Sequence, residues 1–324
     1  MALLEVENLS IAVAGETQWL PVVDDCSFSV DEKQTLGIVG ESGCGKSLTA
    51  MAIMGLLEES QIRITSGNIQ FNGENLLTLP ARRRRQIMGH EMSMIFQEPM
   101  TSLNPVYRIG DQIIEALKQH RKMSTSQYKS RALELLELVK IPNHRERFNS
   151  FPHQLSGGQR QRVMIAMALS CDPKLLIADE PTTALDVTVQ KEVLQLMLDL
   201  QERSGTAIIL ISHDMGVIAE TCNEVAVMYR GRIVESSTTA GLFANIQHPY
   251  TRGLLNSIPS VDSETEWLDA IPGRVPTLEE NLPGCAFHPR CPYSEARCAD
   301  TVPSAAHTET NHLVRCHFAG ELQL

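Results

Sequence analysis

A glycine-rich segment at positions 40–47, which reads GESGCGKS, constrains the fold of this 324-residue chain more than any other feature. It fits the pattern G-x-x-x-x-G-K-[ST], follows the short apolar run 35–40 and precedes a helix-like run at 47–57. Between a strand and a helix, such glycines let backbone N–H groups turn inward around a phosphate, and the helix N-terminus adds its positive dipole end. The sequence predicts a phosphate-binding loop made by Gly40, Ser42, Gly43, Cys44, Gly45, Lys46, Ser47 and Leu48.

Two carboxylates at the end of a second apolar run, 175–178, supply the groups that a nucleotide hydrolase needs. Lys46 can reach the β- and γ-phosphates, and the Ser47 hydroxyl and Asp179 can hold Mg²⁺. Glu180 is placed to polarise a water for attack on the γ-phosphate. Alone, Asp179 and Glu180 would indicate only an acidic turn, but downstream of the phosphate-binding loop they predict ATP hydrolysis.

Composition restricts the class of protein. Lys and Arg total 28 against 39 Asp and Glu, a net charge of −11, which counts against a nucleic-acid partner. The chain has no apolar run of the roughly 18 residues that a spanning helix needs, and its N-terminus has no basic region of a signal peptide. We therefore expect a cytoplasmic chain, in which cysteines are core thiols, catalytic groups or metal ligands.

Strand-like and helix-like runs alternate up to about residue 250, which indicates an α/β fold with a mostly parallel sheet and a helical insertion at about 108–170. Asn72-Gly73 predicts a hairpin turn after the strand-like run 69–71. One helix face is predicted by the i, i+3, i+4, i+7 spacing of Ala132, Leu135, Leu136 and Val139. Beyond residue 259 proline recurs and helical periodicity is weak, so we expect a separate, irregular C-terminal segment that needs a metal or covalent staple.

The run LSGGQ at 155–159 narrows this reading, because with it the chain resembles the nucleotide-binding subunit of an ABC transporter. The other motifs of that family occur in family order: Gln97 matches the Q-loop, Asp186 the D-loop and His213 the switch histidine. The resemblance implies a P-loop ATPase domain at 1–258 with a RecA-like core, an antiparallel β subdomain and a helical subdomain at about 98–168. It leaves 259–324 as an extension.

The resemblance also implies a mechanism in which two such domains pack head to tail. ATP lies between the phosphate-binding loop of one chain and the signature helix of the other, where helix N-terminal groups cap the γ-phosphate. Glu180 positions water, His213 contacts the γ-phosphate, and Gln97 couples Mg²⁺ and water to the membrane partner. The signature residues that face the partner's ATP are Ser156, Gly157, Gly158 and Gln159.

One family position departs from the pattern. Many relatives have an aromatic residue near the end of the first strand that stacks on adenine, and Val13 occupies that position here. Trp19 is the substitute that we assign, and the alternative is a loop residue packed on the surface.

Further short segments resemble those of the dipeptide and oligopeptide importer ATPases, among them GES at 40–42, QEPMTSLNP at 97–105 and HPYT at 248–251. The resemblance implies a motor for peptide import, with nickel or antimicrobial peptides as alternative cargo. The implied partners are a second, distinct ATPase subunit, two transmembrane permease subunits and an extracytoplasmic substrate-binding protein, and the implied location is the cytoplasmic face of the inner membrane. A soluble ABC ATPase of DNA repair or translation is the alternative from another class, and a catalytically inactive subunit is a further one.

Four of the eight cysteines lie in the extension with the spacing C-x5-C-x6-C-x17-C: Cys285, Cys291, Cys298 and Cys316. This spacing lacks the C-x2-C pairs of common zinc ribbons, and four thiolates can hold a [4Fe–4S] cluster. The resemblance favours the cluster, and structural Zn²⁺ and four free packed thiols stay open. The other four cysteines, Cys26, Cys44, Cys171 and Cys222, are expected to be buried small hydrophobes.

The basic run Arg82-Arg83-Arg84-Arg85 has two interpretations. It is a solvated helix face, which we favour, or a contact with anionic lipid headgroups.

Overall fold

The structure, a computed structural model, describes residues 2–97, 102–183, 185–257, 271–280, 282–307, 312–322 and 324. It divides into two compact units, which are described separately. The first comprises Asp31–Gln34 and Thr78–Ile209, and the second comprises Ala2–Val30, Thr35–Leu77 and Leu210–Leu324. The expected domain boundary at 258/259 and the start of the helical subdomain at 98 lie outside the described residues.

The N-terminal part of the second unit is an antiparallel sheet with the strand order β2-β1-β4-β5. Its elements are β1 (Leu4–Ala14), β2 (Trp19–Val30), β3 (Thr35–Val39), α1 (Lys46–Ile53), β4 (Ile62–Phe71) and β5 (Glu74–Asn75), of which β3 and α1 lie outside this sheet. The turn between β4 and β5 is the predicted Asn-Gly turn, in which Asn72 and Gly73 have φ of 50° and 80°. Leu4, Leu9 and Ile11 form the buried side of β1.

The first unit contains most of the helices and one parallel strand pair. Its elements are α2 (Ala81–Ile87), β6 (Met92–Ile95), α3 (Ile109–His120), α4 (Thr125–Leu138), α5 (His144–Arg147), α6 (Gly157–Ala168), β7 (Leu175–Asp179) and α7 (Val187–Ser204). β6 and β7 pair in parallel, from Met92 opposite Leu175 to Ile95 opposite Ala178. The predicted apolar face of α4, which includes Ala132, Leu135 and Leu136, is buried as expected.

The remainder of the chain continues from β8 (Ala207–Ser212), which crosses from the first unit into the second. The following elements are α8 (Met215–Thr221), β9 (Glu224–Tyr229), β10 (Arg232–Thr238), α9 (Thr239–Ala244), α10 (Pro249–Asn256), α11 (Ala296–Asp300), β11 (Ala306–His307) and β12 (Leu313–Val314). Within this unit the strand order is β11-β12-β10-β9-β3, with β3 and β9 parallel and the other described pairings antiparallel.

The C-terminal segment contributes to this sheet, a feature that the sequence does not predict. β12 pairs with β10, where Glu235 lies opposite Val314 and Ser236 opposite Leu313. β11 and β12 are each only two residues long, so neither has a hydrophobic period that a sequence pattern could reveal. β10 and the first half of β4 also escape prediction, since β4 begins with the exposed, polar stretch around Arg63 and Thr65.

Burial supports two of the sequence-based expectations about side chains. Cys26, Cys44, Cys171 and Cys222 are all buried, and burial raises the pKa of Cys26 to about 12, so it stays a neutral thiol. The arginine run lies on α2, where Arg82 and Arg85 are exposed and Arg83 pairs with Glu91 at 3.2 Å. Among the described residues, no helix combines the length and the apolar character that crossing a bilayer demands.

Two glycines of the antiparallel sheet, Gly67 and Gly73, both have positive φ but differ in how closely other atoms approach them. Substituting each by alanine compares the stability cost of a crowded backbone with the cost of an unfavourable dihedral angle. A Cβ on Gly67 (φ 105°) would lie 2.5 Å from Leu9 Cα and 2.8 Å from two carbonyl oxygens of β1. A Cβ on Gly73 (φ 80°) would meet no atom within 4 Å. Gly73→Ala should lower the free energy of unfolding by about 1–2 kcal/mol, the cost of a left-handed residue.

Gly67→Ala should lower the free energy of unfolding by clearly more than Gly73→Ala does, since β1 and β4 must also move apart. Denaturant unfolding of both variants checks this, and equal losses would contradict the close packing at Gly67.

Candidate functional site

The phosphate-binding loop connects the buried strand β3 to α1 in the second unit, as the sequence predicts. Glycine is required at Gly40, because a Cβ there would lie 2.1 Å from the carbonyl oxygen of Met228. It is also required at Gly45, which precedes α1 with φ 108°. Gly45 offers no side-chain cap, so the first N–H groups of α1 have no side-chain acceptor from that position and suit an anion.

Lys46 lies folded against this loop. Its side chain is nearly fully buried, and its ammonium group donates to the carbonyl oxygens of Gly40 at 2.7 Å and Glu41 at 3.1 Å. The positive charge is thus held against the carbonyl groups of the loop backbone. The loop's Cys44 is buried beside it, and burial raises the pKa of its thiol.

Two residues for which the sequence predicts no role also contact the loop at Glu41, and a third, Tyr229, packs against one of them. Tyr250 accepts a hydrogen bond from the Glu41 backbone N–H at 2.9 Å, and Arg290 makes two bonds to the Glu41 carboxylate, of 2.7 and 2.9 Å. Tyr229 lies under them, with its ring centroid 4.6 Å from that of Tyr250. Burial raises the pKa of the Tyr250 phenol, so it stays neutral and can accept this bond.

The predicted catalytic carboxylate lies in the first unit, directly after β7. Asp179 ends that strand and is buried, and Glu180 has φ 44°, an unfavourable conformation for a residue with a side chain. The Glu180 carboxylate accepts hydrogen bonds from Gln97 Nε2 at 3.1 Å and Thr183 Oγ1 at 3.0 Å. The structure therefore brings Gln97 and Glu180 together, and it adds Thr183, which the sequence does not predict.

The signature residues begin α6. Ser156 is its N-cap: the Ser156 Oγ accepts from the Gln159 N–H at 3.3 Å, and the Gln159 side chain accepts from the Ser156 N–H at 3.1 Å. Gly158 must be small, because a Cβ there would lie 2.6 Å from Val189 Cγ1. Gly157 has no comparable neighbour, since its Cβ would come no closer than 3.7 Å to another side chain.

The D-loop and switch residues lie at the starts of two further helices. Asp186 caps α7 by accepting from the Val189 N–H at 2.9 Å. His213 is exposed in the second unit, between β8 and α8. The next residue, Asp214, caps α8, with a bond of 2.7 Å from the Gly216 N–H.

Trp19 begins β2, where the guanidinium of Arg63 lies 4.1 Å from the centre of its ring. One face of the indole is therefore in a cation–π contact. Its assignment to adenine stacking stays a prediction.

The structure does not confirm the predicted metal centre at the four tail cysteines. Across the described ranges, no three or more His, Cys, Asp and Glu side chains are arranged so that they could hold a metal ion. Cys298 is buried and the other three thiols are partly exposed. Burial, together with the smaller effect of the neighbouring thiols, raises the pKa of Cys291 to about 11, so this thiol is protonated near neutral pH. The donor atoms suit a soft metal, but the arrangement does not show one.

Comparison with known proteins identifies the family. Residues 23–183 match the family model "ABC transporter", and residues 234–298 match "Oligopeptide/dipeptide transporter, C-terminal region". The oligopeptide transport ATP-binding protein AppD of Bacillus subtilis is 48% identical, over 98% of this chain and 97% of its own length. The dipeptide transport ATP-binding protein DppD of Escherichia coli is 44% identical, over 98% and 97%.

The chain belongs to the ATP-binding proteins of the oligopeptide/dipeptide ABC transporters. Its fold agrees with a solved dimeric ATP-binding cassette bound to ADP and phosphate, which has a TM-score of 0.65 and 25% identity over 73% of this chain and 98% of that one. The expected ATPase fold and activity are thereby confirmed.

His248 is a buried histidine close to Tyr250, which contacts the phosphate-binding loop, and its burial should make the stability of the chain depend on pH. His248 caps α10 by accepting from the Tyr250 N–H at 3.1 Å, and burial lowers its pKa to about 4. Between pH 6.5 and about 4 the unfolded chain binds a proton that the folded chain does not, so stability falls as pH falls through this window. The loss reaches about 3 kcal/mol at its lower end.

His248→Asn keeps a short cap acceptor but cannot take up this proton. We expect its stability to depend less on pH between 7 and 5 than that of the parent chain, as measured by urea unfolding at several pH values. Parallel pH profiles for the two proteins would contradict a neutral, buried His248.

Proposed function

We propose that this chain is the subunit whose ATP hydrolysis drives import of dipeptides or oligopeptides. The observation that carries the proposal is the near-full-length similarity to oligopeptide and dipeptide transport ATP-binding proteins, which includes the C-terminal region at 234–298. Nickel and antimicrobial peptides are the alternative cargo.

In this proposal Lys46 neutralises the β- and γ-phosphates, while Ser47 and Asp179 hold Mg²⁺. Glu180 orients the attacking water, and Gln97 links that water and the metal to the membrane partner. The bonds from Gln97 and Thr183 to the Glu180 carboxylate support this assignment, because they fix the direction of a group that must meet a water molecule. His213 contacts the γ-phosphate, and positioning and charge stabilisation supply most of the catalysis.

The complete site needs a second ATPase chain in this proposal. The N-terminus of α6, with Ser156, Gly157 and Gly158, caps the γ-phosphate held by the partner's loop, and Asp186 follows at the same interface. A positive helix end and small residues favour that contact. The solved ATP-binding cassette to which this chain is similar is dimeric.

The proposed assembly contains a distinct second ATPase subunit, two transmembrane permease subunits and an extracytoplasmic substrate-binding protein. It places this chain at the cytoplasmic face of the inner membrane, as a peripheral subunit. The permeases and the binding protein select the cargo.

Glu180→Gln tests both parts of the proposal in vesicles that contain the complete transporter. ATP hydrolysis should fall by a factor on the order of 100 or more, since a general base contributes at least that much, and ATP-bound dimers should accumulate. Uptake of a labelled dipeptide should be lost. Glu192→Gln, which removes an exposed carboxylate paired with Arg162, is the matched control.

Undiminished hydrolysis by Glu180→Gln would contradict the role of this residue. Import of nickel in place of peptide by the parent complex would contradict the cargo but leave the ATPase role intact.

A metal in the C-terminal segment is a separate part of the proposal. Its support is the donor set, since four thiols lie in one segment of the second unit, and the Cys285 N–H donates to the Cys298 carbonyl at 2.8 Å. Cys285, Cys291, Cys298 and Cys316 would hold a [4Fe–4S] cluster, or Zn²⁺ as the alternative, in a structural role.

Anaerobically purified protein should be brown and contain iron and acid-labile sulfide. Cys291→Ser should lose both, because it removes one of the ligands, and Cys171→Ser, a buried cysteine elsewhere, should keep them. One zinc per chain without iron, or no metal, would rule out the cluster.

A further inference from the structure

Glu41 is held at three points, although it occupies one of the variable positions of the phosphate-binding loop. Its backbone N–H donates to Tyr250, its backbone carbonyl accepts from Lys46, and its carboxylate accepts two bonds from Arg290. Tyr250 lies in α10 and Arg290 in the short 3₁₀ turn His288–Arg290, so residues 209 and 249 positions away fix the loop.

Arg290 is itself fixed. Its side chain is 3% exposed, its Nε donates to the Pro272 carbonyl at 2.9 Å, and Nη1 lies 3.4 Å from the Tyr229 hydroxyl. Its guanidinium also lies 5.9 Å from the ring centres of Tyr229 and Phe287. A buried guanidinium with this many contacts makes a stronger and more directional pair than an exposed one.

The charge of Glu41 would oppose nucleotide binding if it were unpaired. The loop has to accept a triphosphate, and like charges at such short range repel, most strongly where water is excluded. The bidentate contact with Arg290 neutralises the carboxylate and turns it away from the loop interior, toward the C-terminal segment. Glu41 thereby becomes an anchor for the loop instead of a repulsive charge.

We propose that Arg290 is a positioning residue for ATP binding: through Glu41 it neutralises and fixes the phosphate-binding loop, so that the C-terminal segment is a working part of the nucleotide site. The proposal concerns ATP binding only and does not depend on the cargo or on the metal content of the segment.

The test is a binding cycle on the full-length chain, with a fluorescent ATP analogue and Mg²⁺. Arg290→Met should weaken binding about tenfold, since it leaves a carboxylate unpaired beside the phosphates. Arg290→Met combined with Glu41→Gln should bind more tightly than Arg290→Met alone, because the repulsive charge is gone. Glu41→Gln alone completes the cycle.

Rescue by the second substitution distinguishes action through Glu41 from a general loss of packing, which a second change would not repair. Arg274→Met is the matched control, because it breaks an exposed pair with Glu280 in the same segment, and its binding should equal that of the parent chain. Arg290→Lys keeps the charge but loses the bidentate geometry, and it should weaken binding about threefold; it carries the test if the methionine variant does not fold.

Circular dichroism checks that each variant is folded. Binding by folded Arg290→Met within twofold of the parent would overturn the proposal. The proposal would also be overturned if adding Glu41→Gln to Arg290→Met did not tighten binding of the ATP analogue.

Discussion

The phosphate-binding loop depends on an unusually close approach of backbone segments in the second unit. Gly40 lies against the carbonyl of Met228 at the end of β9, where any Cβ would be 2.1 Å from the oxygen. The Gly231 N–H then donates to the Cys44 carbonyl at 2.8 Å, from the turn that follows β9. The loop therefore takes its shape from the parallel pair of β3 and β9, and substitutions at these contacts would move the site as a whole.

Charges within this loop are arranged in a way that suits an anionic ligand. Lys46 is held on backbone carbonyls inside the loop, whereas the Glu41 carboxylate is directed to Arg290. The net charge of −11 has no bearing on this arrangement, because the proposed site would recognise ATP through local backbone dipoles and one lysine. The overall charge balance bears on nucleic-acid binding, whereas nucleotide binding depends on the local charges of the loop.

Two motif residues also cap the N-termini of helices. Ser156 forms a capping box with Gln159 at the start of α6, and Asp186 caps α7. Their side chains contribute to helix stability in the isolated chain, by about 1 kcal/mol for a typical N-cap. Substitution at these positions therefore changes both the local fold and the proposed contact with a partner's nucleotide. A Cβ on Gly157 would meet only Leu185 Cδ2, at 3.7 Å, so a small side chain there should disturb the fold little.

Motifs that are local in sequence were predictable, since a few neighbouring residues determine them. The sequence by itself determined the phosphate-binding loop, the apolar face of α4, the Asn-Gly turn and the family. Tertiary packing decided the rest: it brought Arg290 to Glu41 across 249 residues, placed Gln97 on Glu180, covered one face of Trp19 with Arg63, and added β12 to β10. Among the described residues, it did not group the four tail thiols in the way that the metal centre favoured by the family resemblance requires. The physical reason is that backbone conformation follows from nearest neighbours, whereas the pairing of distant charges and edge strands depends on which surfaces pack together.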